Sequence, residues 1–100
     1  MLSRMDARIA RKVKRRLLKV TPVERLMVYG SRARGEAVPD SDLDLYIEGP
    51  AVTPDMRRKI SEIAWEVSLE TDVVISTLIY SKQVVGQPIM KAIEIDGVAV

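Results

Sequence analysis

The seven residues from Asp42 to Glu48, DLDLYIE, alternate strictly, with Leu43, Leu45 and Ile47 on one side and Asp42, Asp44, Tyr46 and Glu48 on the other. A period of two is the signature of a β-strand with one buried face. Its surroundings restrict the fold further. Glu24 to Tyr29 reads as a short buried strand broken by Gly30, and residues 31–41 carry the Gly, Pro, Ser and Asp of a turn or short helical turn followed by a loop. Such a connection is too short for a parallel crossover, so these two strands run antiparallel if they are neighbours. Beyond Gly49 and Pro50, Thr53-Pro54-Asp55 opens a helix with an N-cap, a proline at the first helical position and an acid near the positive end of the dipole. Met56, Ile60, Ile63, Ala64 and Val67 supply its apolar face, and Asp72 to Thr77 reads as a third strand. Strand, helix, strand is the pattern of a right-handed parallel crossover. The expected fold class is α+β: a small mixed β-sheet flanked by helices.

The two ends complete this outline. Leu2, Met5, Ile9, Val13, Leu17 and Val20 recur at spacings of three and four, one apolar stripe of an amphipathic helix that Thr21-Pro22 ends. Residues 1–19 also hold eight Lys or Arg against Asp6 alone, so this segment is basic by seven while the remaining 81 residues are acidic by five. Pro88 to Asp96 reads as a last short helix, stopped by Gly97. With 100 residues and neither repeat nor linker, the chain is read as one domain, a basic helix over residues 1–20 leading a core over 24–100. No apolar run approaches the ~20 residues of a membrane helix and the first residues lack a secretory pattern, so the expected setting is cytoplasmic, away from membranes.

Composition narrows the chemistry. The chain has no Cys and no His, which removes thiolate metal sites, the commonest general base and the commonest transition-metal ligand. Catalysis would have to run on carboxylates, hydroxyls, Lys or Arg. The absence of Asn and the presence of only two Gln also echo the amide depletion of thermophile proteins.

Topology places the acids. Gly30-Ser31 at the end of the first strand lies beside Asp42 at the start of the second, and the parallel crossover puts Asp72 at the start of the third, all at one edge of one sheet. Asp42 and Asp44 share a face, which Asp72 can join if register allows. Three like charges within ~5 Å repel by roughly a few kcal/mol per pair near a protein surface, so such a cluster needs cations. Carboxylate oxygens without His or Cys suit Mg²⁺, which takes one or two carboxylates plus substrate phosphates. A glycine lets backbone N–H groups approach a polyphosphate, the Ser31 hydroxyl adds a donor, and Arg32 and Arg34 stand nearby to neutralise charge. The edge reads as a seat for a metal-bound nucleoside triphosphate.

Gly30-Ser31, ten intervening residues, then Asp42-Leu43-Asp44 resembles the GS-x10-DxD signature of the polymerase β-like nucleotidyltransferase superfamily, and GSRARGEAVPDSDLDL resembles its minimal nucleotidyltransferase (MNT) domain. The resemblance extends to Asp72 in ETDVVIS and to the closing PIMKAIEIDGVAV. It implies the nucleotidyltransferase fold and transfer of a nucleoside monophosphate from an NTP, expected to be ATP, to an acceptor hydroxyl with two Mg²⁺ ions. On the matching positions Asp42 and Asp44 would bridge the metals, Asp72 would hold the catalytic metal and help deprotonate the acceptor, and Gly30, Ser31 and Arg34 would contact the nucleotide. Arg32 ranks below Arg34 as a phosphate ligand. Free-standing MNT proteins resemble the antitoxin half of modules whose toxin is a HEPN-domain ribonuclease, silenced by AMP added to a tyrosine. A HEPN toxin is therefore the implied partner and protein adenylylation the implied reaction.

Two other functions fit the same residues: a binding antitoxin that inhibits by contact alone, and a nucleotidyltransferase for small molecules such as aminoglycosides. The basic helix reads first as a solvated face, then as a docking surface for an acidic partner or a nucleic-acid patch. With one Trp and three Tyr in the chain, base stacking has little support and direct nucleic-acid binding is not expected. Trp65, among the apolar positions of its helix, is expected in the core, the alternative being an exposed Trp that anchors a partner.

Overall fold

A computed structural model describes residues 1–36, 40–81 and 93–100. In chain order the elements are α1 (Arg4–Leu18), β1 (Arg25–Tyr29), α2 (Gly30–Arg34), β2 (Leu43–Gly49), α3 (Pro54–Thr71), β3 (Ile75–Ser81) and β4 (Val98–Ala99). The strands form one mixed sheet in the order β3-β2-β1-β4. As expected from connection lengths, β1 and β2 are antiparallel and β2 and β3 parallel. The strand β4, antiparallel to β1, was not foreseen, because two residues carry no readable period. Of the helix expected over 88–96, residues 93–96 are helical and Gly97 ends them; positions 88–92 lie outside the described residues.

Helices α1 and α3 cover one face of the sheet. Ile9, Val13 and Leu17 of α1 and Met56, Ile60, Ile63 and Val67 of α3 meet Leu26 and Val28 of β1 and Leu43, Leu45 and Ile47 of β2 in one buried cluster. The start of α3 is the one the sequence spells out, with the Thr53 hydroxyl accepting from the Met56 N–H at 3.1 Å and Pro54 at the first position. Among the described residues no helix is long and apolar enough to cross a membrane.

Three expectations about burial need correction. Met5 and Val20 are exposed, because the inward positions of α1 go to Asp6, Ile9, Ala10, Val13 and Leu17. Trp65 is 66% exposed. It lies two residues from both Ile63 and Val67, about 200° around the helix from each, so it points away from the face they bury. The polar side of β2 is not a solvated face either: Tyr46 is fully buried and Glu48 nearly so. Their cross-strand neighbours are Met27 and Leu78 for Tyr46, and Arg25 and Tyr80 for Glu48. Ile93 is fully buried, and Gly97 approaches the Met27 methyl so closely that a Cβ there would lie 2.7 Å from it. The closing segment thus lies on this second face.

Candidate active site

The β1–α2 junction is built around glycine. Tyr29 is extended and caps α2 without a side-chain hydrogen bond, leaving the first-turn N–H groups without a side-chain acceptor. Gly30 has φ 77°, a region that favours glycine, and a Cβ on it would lie 2.5 Å from Asp44 Oδ2. The chain therefore passes in contact with the Asp44 carboxylate at the point where α2 begins. Gly35, at φ 75°, ends α2 in the left-handed conformation.

Asp44 is the second residue of β2 and is paired with Tyr29 on one side and Ser76 on the other. Its carboxyl is pushed above the usual carboxylate range, first by burial and then by the charge of Asp42. Asp42 stands exposed one residue before the strand. Among the described residues neither carboxylate has a hydrogen-bond or ion-pair partner, and the Ser31 hydroxyl has none. The Tyr29 phenol is pushed up by burial and then by the charge of Asp44. Two interacting carboxylates, a hydroxyl and a bare glycine backbone, with no cation among the described residues, thus meet at one end of the sheet. Such oxygen donors suit a hard divalent ion and a phosphate.

Asp72 is placed differently from expectation. The third strand begins at Ile75, not Asp72, and Asp72 is instead the exposed C-cap of α3, with φ 58°. The side chains at the end of α3 explain the delay. The Val73 N–H donates to Thr71 Oγ1 at 3.4 Å and the Ile75 N–H to Ser68 Oγ at 3.2 Å, so hydroxyls satisfy the backbone before the ladder starts. Among the described residues no group of three or more acids is gathered in a metal-holding arrangement. Asp42 and Asp44 are brought together; Asp72 is not brought to them.

The two arginines divide sharply. Arg34 lies on the surface, donating to Glu36 at 3.0 Å and to Asp96 at 3.4 Å. Arg32 is turned inward, donating through Nη1 to Asp6 at 2.9 Å and through Nε to the Ser41 carbonyl at 2.8 Å. Its side chain is 13% exposed and that of Asp6 8%. One guanidinium therefore ties α1, α2 and the residue preceding Asp42 together. Sequence reasoning missed this clamp, although Asp6, the one acid of a basic segment, sits three residues before Ile9 on the inward side of α1. It also missed the polar cluster behind the site, in which Tyr46 donates to Glu48 Oε2 at 2.6 Å and Arg25 to the same oxygen at 3.0 Å. There Tyr80 stacks on Tyr46, with centroids 5.9 Å apart.

Comparison with known proteins bears on the family and the fold. A protein of Methanocaldococcus jannaschii, provisionally named a protein adenylyltransferase, is 37% identical over an alignment of 65 residues that covers 62% of this chain and 64% of that protein. The chain thus spans just under two thirds of that relative. Among solved structures, a chain from a toxin–antitoxin crystal structure with AMP-PNP superposes with a TM-score of 0.66 at 13% identity, covering 94% of this chain and 70% of that one. A provisionally named nucleotidyltransferase of Sulfolobus solfataricus gives 0.66 at 15% identity, covering 95% and 78%. A chain from the tri-AMPylated Shewanella oneidensis HEPN toxin in complex with its MNT antitoxin gives 0.60 at 13%, covering 95% and 71%. At these identities the structural likeness speaks for the fold. The family description "Nucleotidyltransferase domain" matches residues 7–100, a span holding both the glycine turn at Gly30 and the acids of β2, and on that match the chain belongs to the nucleotidyltransferase domain family.

Proposed function

We propose that the chain is a Mg²⁺-dependent nucleotidyltransferase of the minimal type that moves AMP from ATP to a hydroxyl, a tyrosine, of a partner HEPN toxin and so acts as its antitoxin. The observation that carries this reading is the contact of Gly30 with Asp44, whose carboxyl interacts with Asp42 and with no cation of the described residues. Asp42 and Asp44 would hold the metal. Bound there, Mg²⁺ would supply charge neutralisation at the transferred phosphate and a lower pKa for the attacking hydroxyl. Gly30 gives the triphosphate room to approach the backbone, and the Ser31 hydroxyl donates to it. Arg34 reaches a phosphate only by leaving Glu36 and Asp96. Asp72 serves in this reading as the third acid, at the α3–β3 turn. The relatives named for adenylyl transfer and for MNT–HEPN pairs support the choice of nucleotide and partner.

A second reading, an antitoxin that inhibits by contact alone, is favoured by one observation: Asp72 stands exposed at a helix end, apart from Asp42 and Asp44. The two are separated by following label from α-labelled ATP, with Mg²⁺, onto a HEPN protein of the same genome. Wild type should label the protein, Asp42→Asn/Asp44→Asn should not, and Asp72→Asn should transfer far more slowly. Neutralisation of the toxin by the double variant would move the assignment to contact inhibition.

A further inference from the structure

The outward face of α1 is unpartnered in a specific way. Arg4, Arg8, Arg11 and Arg15 follow at spacings of four, three and four, all exposed, within an arc of about 60° opposite the buried Ile9, Val13 and Leu17. They span ~16 Å along the helix. The other cations within α1 are engaged: Lys12 and Arg16 pair with Glu70, and Lys14 donates to the Val100 carbonyl. The four outward arginines have no partner among the described residues. Like charges three and four residues apart destabilise a helix, and Arg4 in the first turn also opposes the helix dipole. The acidic remainder of the chain does not neutralise them, so the face is complementary to an anion outside the molecule.

The apolar neighbours say what kind of anion. Leu18, 53% exposed, continues the same arc three residues after Arg15, and Met5, 61% exposed, borders it. No aromatic residue occurs in the first 20 positions, so there is no platform for bases. Arginine beside an exposed Met is the pairing that protein-binding surfaces enrich, and the exposed Leu18 adds apolar area to it. The first turns of α1 also adjoin the candidate site, because Asp6 is held by Arg32, the residue after Ser31.

We propose that this face of α1 docks an acidic surface of the protein that receives the nucleotide, holding it beside the Asp42 and Asp44 edge. The inference rests on the reading that the acceptor is a protein. The test is steady-state AMP transfer to the HEPN protein, with wild type, Arg8→Glu/Arg15→Glu and Arg8→Lys/Arg15→Lys. The charge-reversed variant should raise KM for the protein at least ten-fold with kcat and KM for ATP unchanged, the lysine variant should stay near wild type, and 300 mM salt should raise the wild-type KM. Fluorescence anisotropy with the same protein, and separately with a 20-nucleotide RNA, reads binding without catalysis. Equal protein affinity of wild type and the charge-reversed variant, or loss of RNA binding alone, would overturn the proposal. Absence of transfer by wild type, with protein binding that still depends on the arginines, would instead count against the catalytic reading and leave the docking face standing.

Discussion

Gly30 and Asp44 touch across the β1–β2 ladder: the position a Cβ would take on Gly30 is 2.5 Å from Asp44 Oδ2. This contact couples the turn that begins α2 to the acid that begins the site. Replacing Gly30 by Ala forces a side chain into φ 77° and against the carboxylate. The left-handed conformation alone costs roughly 1–2 kcal/mol, about 5–15 °C in Tm for a domain of this size, before the clash is counted. Differential scanning calorimetry should show that drop, and nucleotide transfer should fall by more than stability explains, because Asp44 must turn aside.

The raised carboxyl of Asp44 makes stability depend on pH in a defined direction. Between the ordinary carboxylate value and the raised one, the folded chain holds a proton that the unfolded chain has released. Stability from this group is therefore lost as pH rises through that window and stays lost above it. Asp44→Asn should melt higher than wild type at pH 7, by a few degrees at most because solvent screens the charge at this partly exposed site. The gain should vanish below the ordinary carboxylate range. A gain that persists at low pH would mean that charge is not its cause.

Mg²⁺ and ATP together should relieve the repulsion between Asp42 and Asp44 that helps raise the Asp44 carboxyl. A ligand at a hundred times its Kd stabilises by about 2.7 kcal/mol, which for a chain of this length is a Tm rise of roughly 10 °C or more. Wild type should show it in a thermal shift assay, and Asp42→Asn/Asp44→Asn should not. EDTA should abolish the rise.

Breaking the clamp between Asp6 and Arg32 should be costly out of proportion to one ion pair. With side chains only 8% and 13% exposed, removal of either partner leaves a buried charge without this counter-charge, a loss of about 3–5 kcal/mol. Asp6→Leu and Arg32→Met should each lower the urea midpoint strongly, and the double variant should recover part of the loss. Where Arg32→Met still folds, transfer should weaken as well, because the Ser41 carbonyl next to Asp42 loses the bond from Arg32.

Much of the architecture was legible locally. The alternation of Asp42 to Glu48, the capped start at Thr53 and the two connection lengths determined β2, α3 and the strand directions, because period, capping and loop length act within a few residues of chain. The same signals set Gly30 and Ser31 beside Asp42; the folded ladder instead pairs Tyr29 with Asp44 and brings Gly30 against the Asp44 carboxylate. Only the folded chain decided that Asp72 caps a helix and does not open a strand, that Trp65 faces outward, and that Tyr46 and Glu48 are buried on the second face of the sheet. It alone turned Arg32 inward to Asp6, 26 residues away. For Tyr46 and Glu48 and for Arg32 the physical reason is common. Which way a side chain points is set by its own backbone, but whether that direction holds water, a hydroxyl or a second layer of structure depends on segments far away in sequence.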